Sequence, residues 1–268
     1  MKNITLGQYI PLDSFFHKLD PRSKICAMMA ILIAIFVPAG FIGYAILAVV
    51  LVACILLAKL QISFVIKAMK PMVMMMFFLT IINVFVIKTG NLLWTLGPIT
   101  IYDDALKQTG YIVVRLALMI MTTTLLTATT KPMDMTLGIE DLLSPLEKLH
   151  VPTHDIAMMI ALALRFIPTL IDEAERILKA QASRGVDFEN GSLKEKISAI
   201  MSLIVPMFVS CFQRADDLAD AMEARGYVVG AKRVRYKILK FTTGDYAVII
   251  IANLLLAGMI FLAVRGTV

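Results

Sequence analysis

The first long apolar run of the chain decides its fold class. Residues 25–58 read ICAMMAILIAIFVPAGFIGYAILAVVLVACILLA and contain no charged side chain. As one helix, at about 1.5 Å per residue, this run would be about 50 Å long, whereas a bilayer's hydrocarbon core is about 30 Å thick. The run therefore has to fold back, and Pro38-Ala39-Gly40 supplies the break. The pattern predicts two short membrane spans, near 25–38 and 40–58.

The composition of the whole chain agrees with a membrane protein. Of its 268 residues, 59% are hydrophobic and 17% are charged, and the mean hydropathy is +0.82. These values lie outside the range of soluble domains. Three further apolar runs predict spans at about 71–88, opened by Pro71, at about 109–130 and at about 245–264. We expect an all-α integral membrane protein with about five transmembrane helices.

The distribution of Lys and Arg predicts the orientation. Cytoplasmic loops of membrane proteins collect cations, so two basic groups predict a cytoplasmic N-terminus and, after five spans, a C-terminus outside. The net charge of +6 has the same explanation, and no nucleic-acid partner is predicted. A basic run at 232–237 predicts contact with inner-leaflet lipid. The two basic groups are Lys18, Arg22 and Lys24 before the first span, and Lys59, Lys67 and Lys70 between the second and third.

The segment 131–244 differs from the rest of the chain because it is rich in both acids and bases. We expect it to form a cytoplasmic helical domain, preceded by an N-terminal segment with four spans in 1–130 and followed by the last span in 245–268. A short helix is predicted around Ile139–Leu149. Together with the spans, the long helices described next predict an L-shaped arrangement.

Two long helices are predicted in this domain, each with an apolar first half and a charged second half. The first runs from Asp155 to Arg184 and the second from about Ser192 to Arg225. Each contains a proline that we expect to interrupt it, because proline removes a helical hydrogen bond. The prolines are Pro168 and Pro206.

The two helices end in nearly the same way, Ala182-Ser183-Arg184-Gly185 and Glu223-Ala224-Arg225-Gly226. Glycine after the last turn is an ordinary helix stop, and the helix dipole favours Arg there. Two endings in matching sequence frames, each with a small residue before the Arg, favour docking of both helix ends in grooves of a partner. Two equivalent grooves are what a dimer with twofold symmetry offers.

The N-terminal sequence resembles a known family. Gly7-Gln8-Tyr9-Ile10-Pro11, then Ser14 and His17-Lys18-Leu19-Asp20-Pro21-Arg22-Ser23-Lys24, are similar to the signature of the transmembrane T component of energy-coupling factor (ECF) vitamin and metal transporters. The two Arg-Gly endings resemble that family's pair of alanine-arginine-glycine coupling motifs. The first ending departs from the usual form, since Ser183 stands between Ala182 and Arg184.

The resemblance implies a coupling subunit of an ECF-type ABC importer in the plasma membrane of a prokaryote. Two cytoplasmic ATPase subunits would bind the helix ends and carry ATP and Mg²⁺, while the long coupling helices hold one membrane-embedded substrate-binding S component. This chain would have no cofactor and no catalytic activity; its glycines are never followed by Lys, so it lacks a GxxxxGK[ST] phosphate loop. The implied docking residues are Ala182, Ser183, Arg184, Gly185, Ala224, Arg225 and Gly226.

Two alternatives remain at this point. Asp216, Asp217 and Asp220 form the DDxxD pattern by which intramembrane prenyltransferases hold Mg²⁺ and a diphosphate, but such enzymes need a second acidic motif facing the first. Asp103-Asp104 is predicted on the other side of the membrane. A stand-alone permease would line its path with polar residues, whereas the spans are nearly free of charge; Arg115 is the residue that a pathway would use.

Overall fold

A computed structural model describes residues 9–96, 99–149, 152–188, 192–228 and 239–265. Contacts divide the chain into a first unit, Met1–Leu142 with Leu239–Val268, and a second unit, Leu143–Ile238. The second unit begins twelve residues after the predicted boundary at 131 and ends six residues before the predicted boundary at 244. The elements are α1 Phe15–Lys18, α2 Pro21–Phe36, α3 Gly40–Leu57, α4 Ile62–Val86, β1 Leu92–Leu96, β2 Ile99–Tyr102, α5 Asp103–Thr129, α6 Pro132–Leu143, a 3₁₀ helix Ser144–Leu149, α7 Thr153–Ser183, α8 Leu193–Ala224 and α9 Thr243–Val264.

The prediction of an all-α integral membrane protein is confirmed, with one small departure. Strands β1 and β2 form an antiparallel hairpin in which Leu96 pairs with Ile99. The sequence analysis predicted no strand there. The signal was present, since residues 92–96 and 99–102 are rich in β-branched and aromatic types on either side of Gly97-Pro98.

Six of the described helices are long and apolar enough to cross a membrane, so the chain is a multi-pass membrane protein. Four of them, α3, α4, α5 and α9, correspond to predicted spans. The first predicted span is α2, which at 16 residues is the shortest of the five. The other two of the six are α7 and α8, which segregate apolar from charged side chains. Length and composition alone do not distinguish such a helix from a span.

Three prolines that we expected to start or interrupt helices lie inside continuous ones: Pro71 in α4, Pro168 in α7 and Pro206 in α8. A proline removes one hydrogen bond of the ladder, and the helix continues where its other bonds and its packing outweigh that loss. The helix that contains the third predicted span thus begins at Ile62 rather than at Pro71. Lys67 and Lys70, assigned to a loop, belong to α4.

The other helix limits are closer to expectation. The break at Pro38-Ala39-Gly40 is confirmed, since α2 ends at Phe36 and α3 begins at Gly40, whose φ is +68°. The short helix predicted around Ile139–Leu149 begins earlier, because α6 starts at Pro132 and a 3₁₀ helix covers Ser144–Leu149. The fourth span begins at Asp103, where two acidic residues favour the positive end of the helix dipole.

The core of the first unit lies where α2, α3, α5 and α9 meet. Ile35, Leu47 and Leu51 are fully buried there. Gly43 lets α3 approach α9 closely, because a Cβ atom at that position would lie 2.9 Å from the sulfur of Met259. Small residues at such crossings are typical of helices that pack within a bilayer.

Candidate docking site

The end of α7 is closed by a complete Schellman motif. Arg184 is the C-cap residue, and Gly185 follows with φ +87°. The Gly185 amide donates to the carbonyl of Ala182 at 3.0 Å, and the Val186 amide donates to that of Gln181 at 3.1 Å. These two bonds satisfy carbonyl groups that a helix end otherwise leaves unpaired, and the left-handed position favours glycine.

The end of α8 repeats this geometry. Arg225 is the C-cap residue, and Gly226 has φ +73°. The Gly226 amide donates to the carbonyl of Glu223 at 2.8 Å, and the Tyr227 amide donates to that of Met222 at 3.0 Å. The similarity noted in the sequence is therefore also a similarity of backbone conformation, and both predicted helix stops are confirmed.

The side chains at both ends are available to a partner. Ala182, Ser183, Arg184 and Gly185 are all exposed, as are Ala224, Arg225 and Gly226. In the part of the chain that the structure describes, neither arginine has a hydrogen bond or an ion pair through its guanidinium group. A Cβ atom added at either glycine would meet nothing within 4 Å. Each end thus presents an unpaired planar cation on an open surface.

A third helix shows that the cap alone does not define such a site. α3 also ends in a Schellman motif, with Lys59 at the left-handed position, φ +57°, and Leu60 donating to Ile55 at 3.2 Å. No Arg-Gly pair is present there. What distinguishes α7 and α8 is the cap together with an Arg at the C-cap position and a small residue before it.

An ion pair joins α7 and α8 at equivalent positions. Arg214 donates through Nη2 to Oε2 of Glu173 at 2.6 Å, and the two side chains are 31% and 24% exposed. Glu173 precedes Arg184 by eleven residues, and Arg214 precedes Arg225 by the same number. On each helix, about 16 Å of helix separates the ion pair from the docking arginine. We call these two equal segments, 173–184 at the end of α7 and 214–225 at the end of α8, the arms.

The N-terminal signature forms a network that we call the clasp, consisting of Asp20, Arg22, Ser23, Lys24 and Asp245. The Asp20 carboxylate caps α2 by accepting from the Arg22 amide at 2.9 Å, and it also pairs with the Arg22 guanidinium at 2.9 Å. The Lys24 ammonium donates to the Thr129 carbonyl at the end of α5, at 3.0 Å. The signature is thus a structural joint between helices.

Asp245 is the residue of the clasp that the sequence analysis missed. It is fully buried, and its carboxylate accepts from the Asp20 amide at 2.8 Å and from the Ser23 hydroxyl at 2.6 Å. It also accepts from the amide and hydroxyl of Thr242, at 2.7 and 2.6 Å. The local signal was a capping box, Thr242 followed three residues later by an acid. Its bonds to α2 were not visible in the sequence.

His17 supports the segment that precedes the clasp. Its Nε2 lies 3.0 Å from the Ile10 carbonyl, which can only accept, so Nδ1 of the neutral ring accepts from the Ser14 hydroxyl at 2.7 Å. Burial lowers the pKa of His17, which favours this neutral form. Of the residues that carried the family resemblance, Gly7 and Gln8 lie outside the described residues.

The residues that suggested a prenyltransferase lie on the surface of α8, and the residue that suggested a stand-alone permease has a hydrogen-bond partner. Asp216, Asp217 and Asp220 are exposed on α8, and the described residues hold no group of three or more His, Cys, Asp or Glu arranged to bind a metal ion. Arg115 donates to the Tyr44 hydroxyl from Nε at 3.0 Å and from Nη2 at 2.8 Å. The basic run at 232–237, predicted to contact lipid, lies outside the described residues.

Comparison with known proteins assigns the chain to a family. Residues 13–236 match the family described as "Cobalt transport protein", CbiQ. The energy-coupling factor transporter transmembrane protein EcfT of Thermosediminibacter oceani is 42% identical over 260 residues, which are 97% of this chain and 98% of that relative. The chain belongs to the EcfT family. EcfT proteins of Brevibacillus brevis and Bacillus subtilis are 41% and 39% identical, over 95% and 98% of this chain and 96% and 99% of their own lengths.

The EcfT resemblance stated from the sequence is therefore confirmed. The CbiQ match includes both helix ends and most of the signature, from Asp13 onward. Asp245 lies beyond that match but within the length that the EcfT relatives cover. Membership applies to the whole described chain and not to one module of it.

Proposed function

We propose that this chain is the coupling subunit of an ECF-type importer, and that its two arginine ends transmit the motion of two ATPase subunits. The observation that carries the proposal is the pair of identical Schellman ends, each with an exposed arginine that pairs with no described residue. A guanidinium group binds a carboxylate through paired, charge-assisted hydrogen bonds, and it stays charged at any physiological pH. Each end therefore fits an acidic groove.

The spacing of the two ends favours a partner with two equivalent grooves. Because both arms start at the Glu173–Arg214 contact and extend about 16 Å, the two arginines reach equally far from it. A pair of ATPases related by twofold symmetry would offer two such equivalent grooves. When ATP closes such a pair, the grooves move, and helices fixed in them move as rigid elements.

The substrate-binding subunit has a candidate surface on α8. The first half of this helix exposes large apolar side chains, an arrangement that favours protein or lipid contact over water. We propose that one membrane-embedded S component packs here and on the apolar stripe of α7, and that its substrate is a vitamin or another micronutrient. ATP and Mg²⁺ would be bound by the ATPases, and this chain would be non-catalytic. The exposed side chains on α8 include Ile197, Ile200, Met201, Ile204, Phe208 and Phe212.

Charge reversal at the two ends tests the proposal. The chain is co-expressed with its ATPase and substrate-binding subunits, purified in mild detergent, and compared with Arg184→Glu, Arg225→Glu and the double variant. Removing one partner of a desolvated ion pair costs about 2–5 kcal/mol, so each single change should lower ATPase recovery more than about tenfold. The double change should abolish both recovery and ATP-driven uptake.

The matched control is the double variant Lys179→Glu, Lys194→Glu. It makes the same change of charge on the same two helices, at exposed positions outside the docking residues, five residues before Arg184 in α7 and 31 residues before Arg225 at the start of α8. It should assemble and transport like the unmodified chain. Normal assembly of the Arg184→Glu, Arg225→Glu variant would refute the docking proposal.

A further inference from the structure

An apolar cavity of about 220 Å³ lies inside the first unit, among α2, α3, α5 and α9 and next to α1. Its floor is formed by buried side chains, among them Ala27 of α2, Leu126 of α5 and Ala252 of α9. Neither the clasp nor the docking ends account for this space. It is larger than an apolar cavity of about 150 Å³, which is enough to take a benzene ring.

The cavity is elongated along the helices. On each of four helices the lining residues fall within eight positions: 24–31 on α2, 50–57 on α3, 122–129 on α5 and 248–255 on α9. The seven steps from the first to the last of these positions correspond to about 10 Å of helix. Because three of these helices are long and apolar enough to cross a membrane, the cavity runs in the direction that lipid chains take.

The cavity is reached from the outer surface of the helices. Three of its lining side chains are more than half exposed: Leu57 at 62%, Ile251 at 54% and Phe15 at 54%. Leu57 belongs to α3 and Ile251 to α9, so the mouth lies between these two helices. The exposed apolar residues on both helices place that mouth where hydrocarbon surrounds the protein.

The polar groups of the lining are already hydrogen bonded to the backbone. The Thr122 hydroxyl donates to the Leu118 carbonyl at 2.8 Å, the Thr129 hydroxyl to the Leu125 carbonyl at 2.8 Å, and the Lys24 ammonium to Thr129. A water molecule needs two to four polar partners, which this lining does not offer. A helix, about 10–12 Å across, is too wide for the space.

We propose that this cavity binds a hydrocarbon chain of a membrane lipid. An empty cavity forfeits the dispersion contacts of its lining, and in a bilayer it is packing rather than removal from water that drives apolar groups together. A lipid chain that enters between α3 and α9 restores those contacts. It then lies against the buried faces of α2 and α5, which surrounding lipid does not reach.

Photolabelling tests this site. The full chain is placed in vesicles of phosphatidylethanolamine and phosphatidylglycerol that contain a phospholipid with a diazirine in its acyl chain. After illumination, adducts are located by peptide mass spectrometry. Label is expected on the cavity-lining residues of α2 and α5, among them Ala27, Ile31 and Leu126, in addition to the exposed faces. Val50→Phe and Ile251→Trp, which fill the lining from two different helices, should each remove the label from these lining residues.

The neighbouring residues provide matched controls. Val49→Phe and Ile250→Trp make the same changes one position away, at side chains that are 69% and 57% exposed and do not line the cavity. Both should label like the unmodified chain. Equal labelling of the lining residues of α2 and α5 in all four variants, or no label on them in the unmodified chain, would overturn the proposal. So would loss of the label once the partner subunits are bound, since a protein segment would then be the occupant.

Discussion

At the scale of single residues, the N-terminal signature has a structural explanation. Its Asp20 and Ser23 bind Asp245, and its Lys24 binds the end of α5. A buried carboxylate is stable only where hydrogen-bond donors replace water, and Asp245 has four of them. The clasp therefore fixes α9 against the start of α2.

Replacing Asp245 should destabilise the protein strongly. Asp245→Ala leaves the buried Asp20 amide without its acceptor and removes one acceptor from the Ser23 hydroxyl and from the part-buried amide and hydroxyl of Thr242. We expect it to lower the free energy of unfolding by about 2–5 kcal/mol. Thermal unfolding in detergent measures this. Asp103→Ala is the control, since it removes a solvent-exposed ion pair with Lys107, and exposed pairs contribute little to stability. Equal stability of the two variants would contradict the role given to Asp245.

Residue-level prediction from the sequence succeeded where the signal was local. The two Arg-Gly ends were identified because each is a short pattern, and the repetition made capping alone an insufficient explanation. Asp245 was missed because its partners Asp20 and Ser23 lie 225 and 222 positions away. A capping box predicts where a helix begins but not what else its acid binds.

At the scale of helices, the two docking ends depend on a conformation that glycine adopts without strain. Gly185 and Gly226 both have positive φ in open space. A side chain at these positions would therefore destabilise the helix end through its unfavourable positive φ and not through a steric clash. The Arg before each glycine is held at the C-cap by the same two hydrogen bonds.

Alanine at these two glycines should weaken docking. Gly185→Ala and Gly226→Ala impose about 1–2 kcal/mol of left-handed strain, which favours fraying of the last turn and displaces the arginine. We expect faster hydrogen exchange at 181–186 and 222–227 and lower ATPase recovery. Gly258→Ala in α9 is the matched control, because nothing lies within 4 Å and the helical backbone accepts alanine. Unchanged exchange at both ends would exclude this effect.

The prolines show why helix limits were the least accurate part of the sequence prediction. Pro71, Pro168 and Pro206 carried the expected signal of a start or a break, yet each lies within a helix of at least 25 residues. Each proline removes one backbone hydrogen bond, but the other hydrogen bonds of the helix and the packing of its apolar face keep the helix continuous. At Pro38 the same residue type did mark a break, because Gly40 with positive φ follows it.

At the scale of the whole molecule, composition, hydropathy and motifs were enough to predict the fold class and the family. They did not predict which helices pack against each other. Apolar spans are hydrophobic nearly all round, so their sequences do not indicate which neighbour each one packs against. The contact of α2 with α9 joins the N-terminal and C-terminal parts of the first unit, which are separated in the sequence by the second unit, Leu143–Ile238.

The predicted orientation can be tested on the whole chain. With Cys26, Cys54 and Cys211 replaced by Ser, a single cysteine is introduced as Arg184→Cys or Arg265→Cys. Because basic residues collect on the cytoplasmic side, a membrane-impermeant maleimide should label Arg265→Cys in intact cells and Arg184→Cys only in inverted vesicles. Labelling of Arg184→Cys from outside would overturn both the orientation and the docking proposal.

The clasp also determines when the protein can be completed during its synthesis. Asp20 and Ser23 are inserted early, but the carboxylate that accepts their hydrogen bonds is translated more than two hundred residues later. Until the ribosome has released α9, the amide of Asp20 and the hydroxyl of Ser23 lack that acceptor. The face of α2 that packs against α9 is also uncovered until then. A nascent chain that stalls before residue 245 thus leaves the buried amide of Asp20, at the start of α2, without its acceptor.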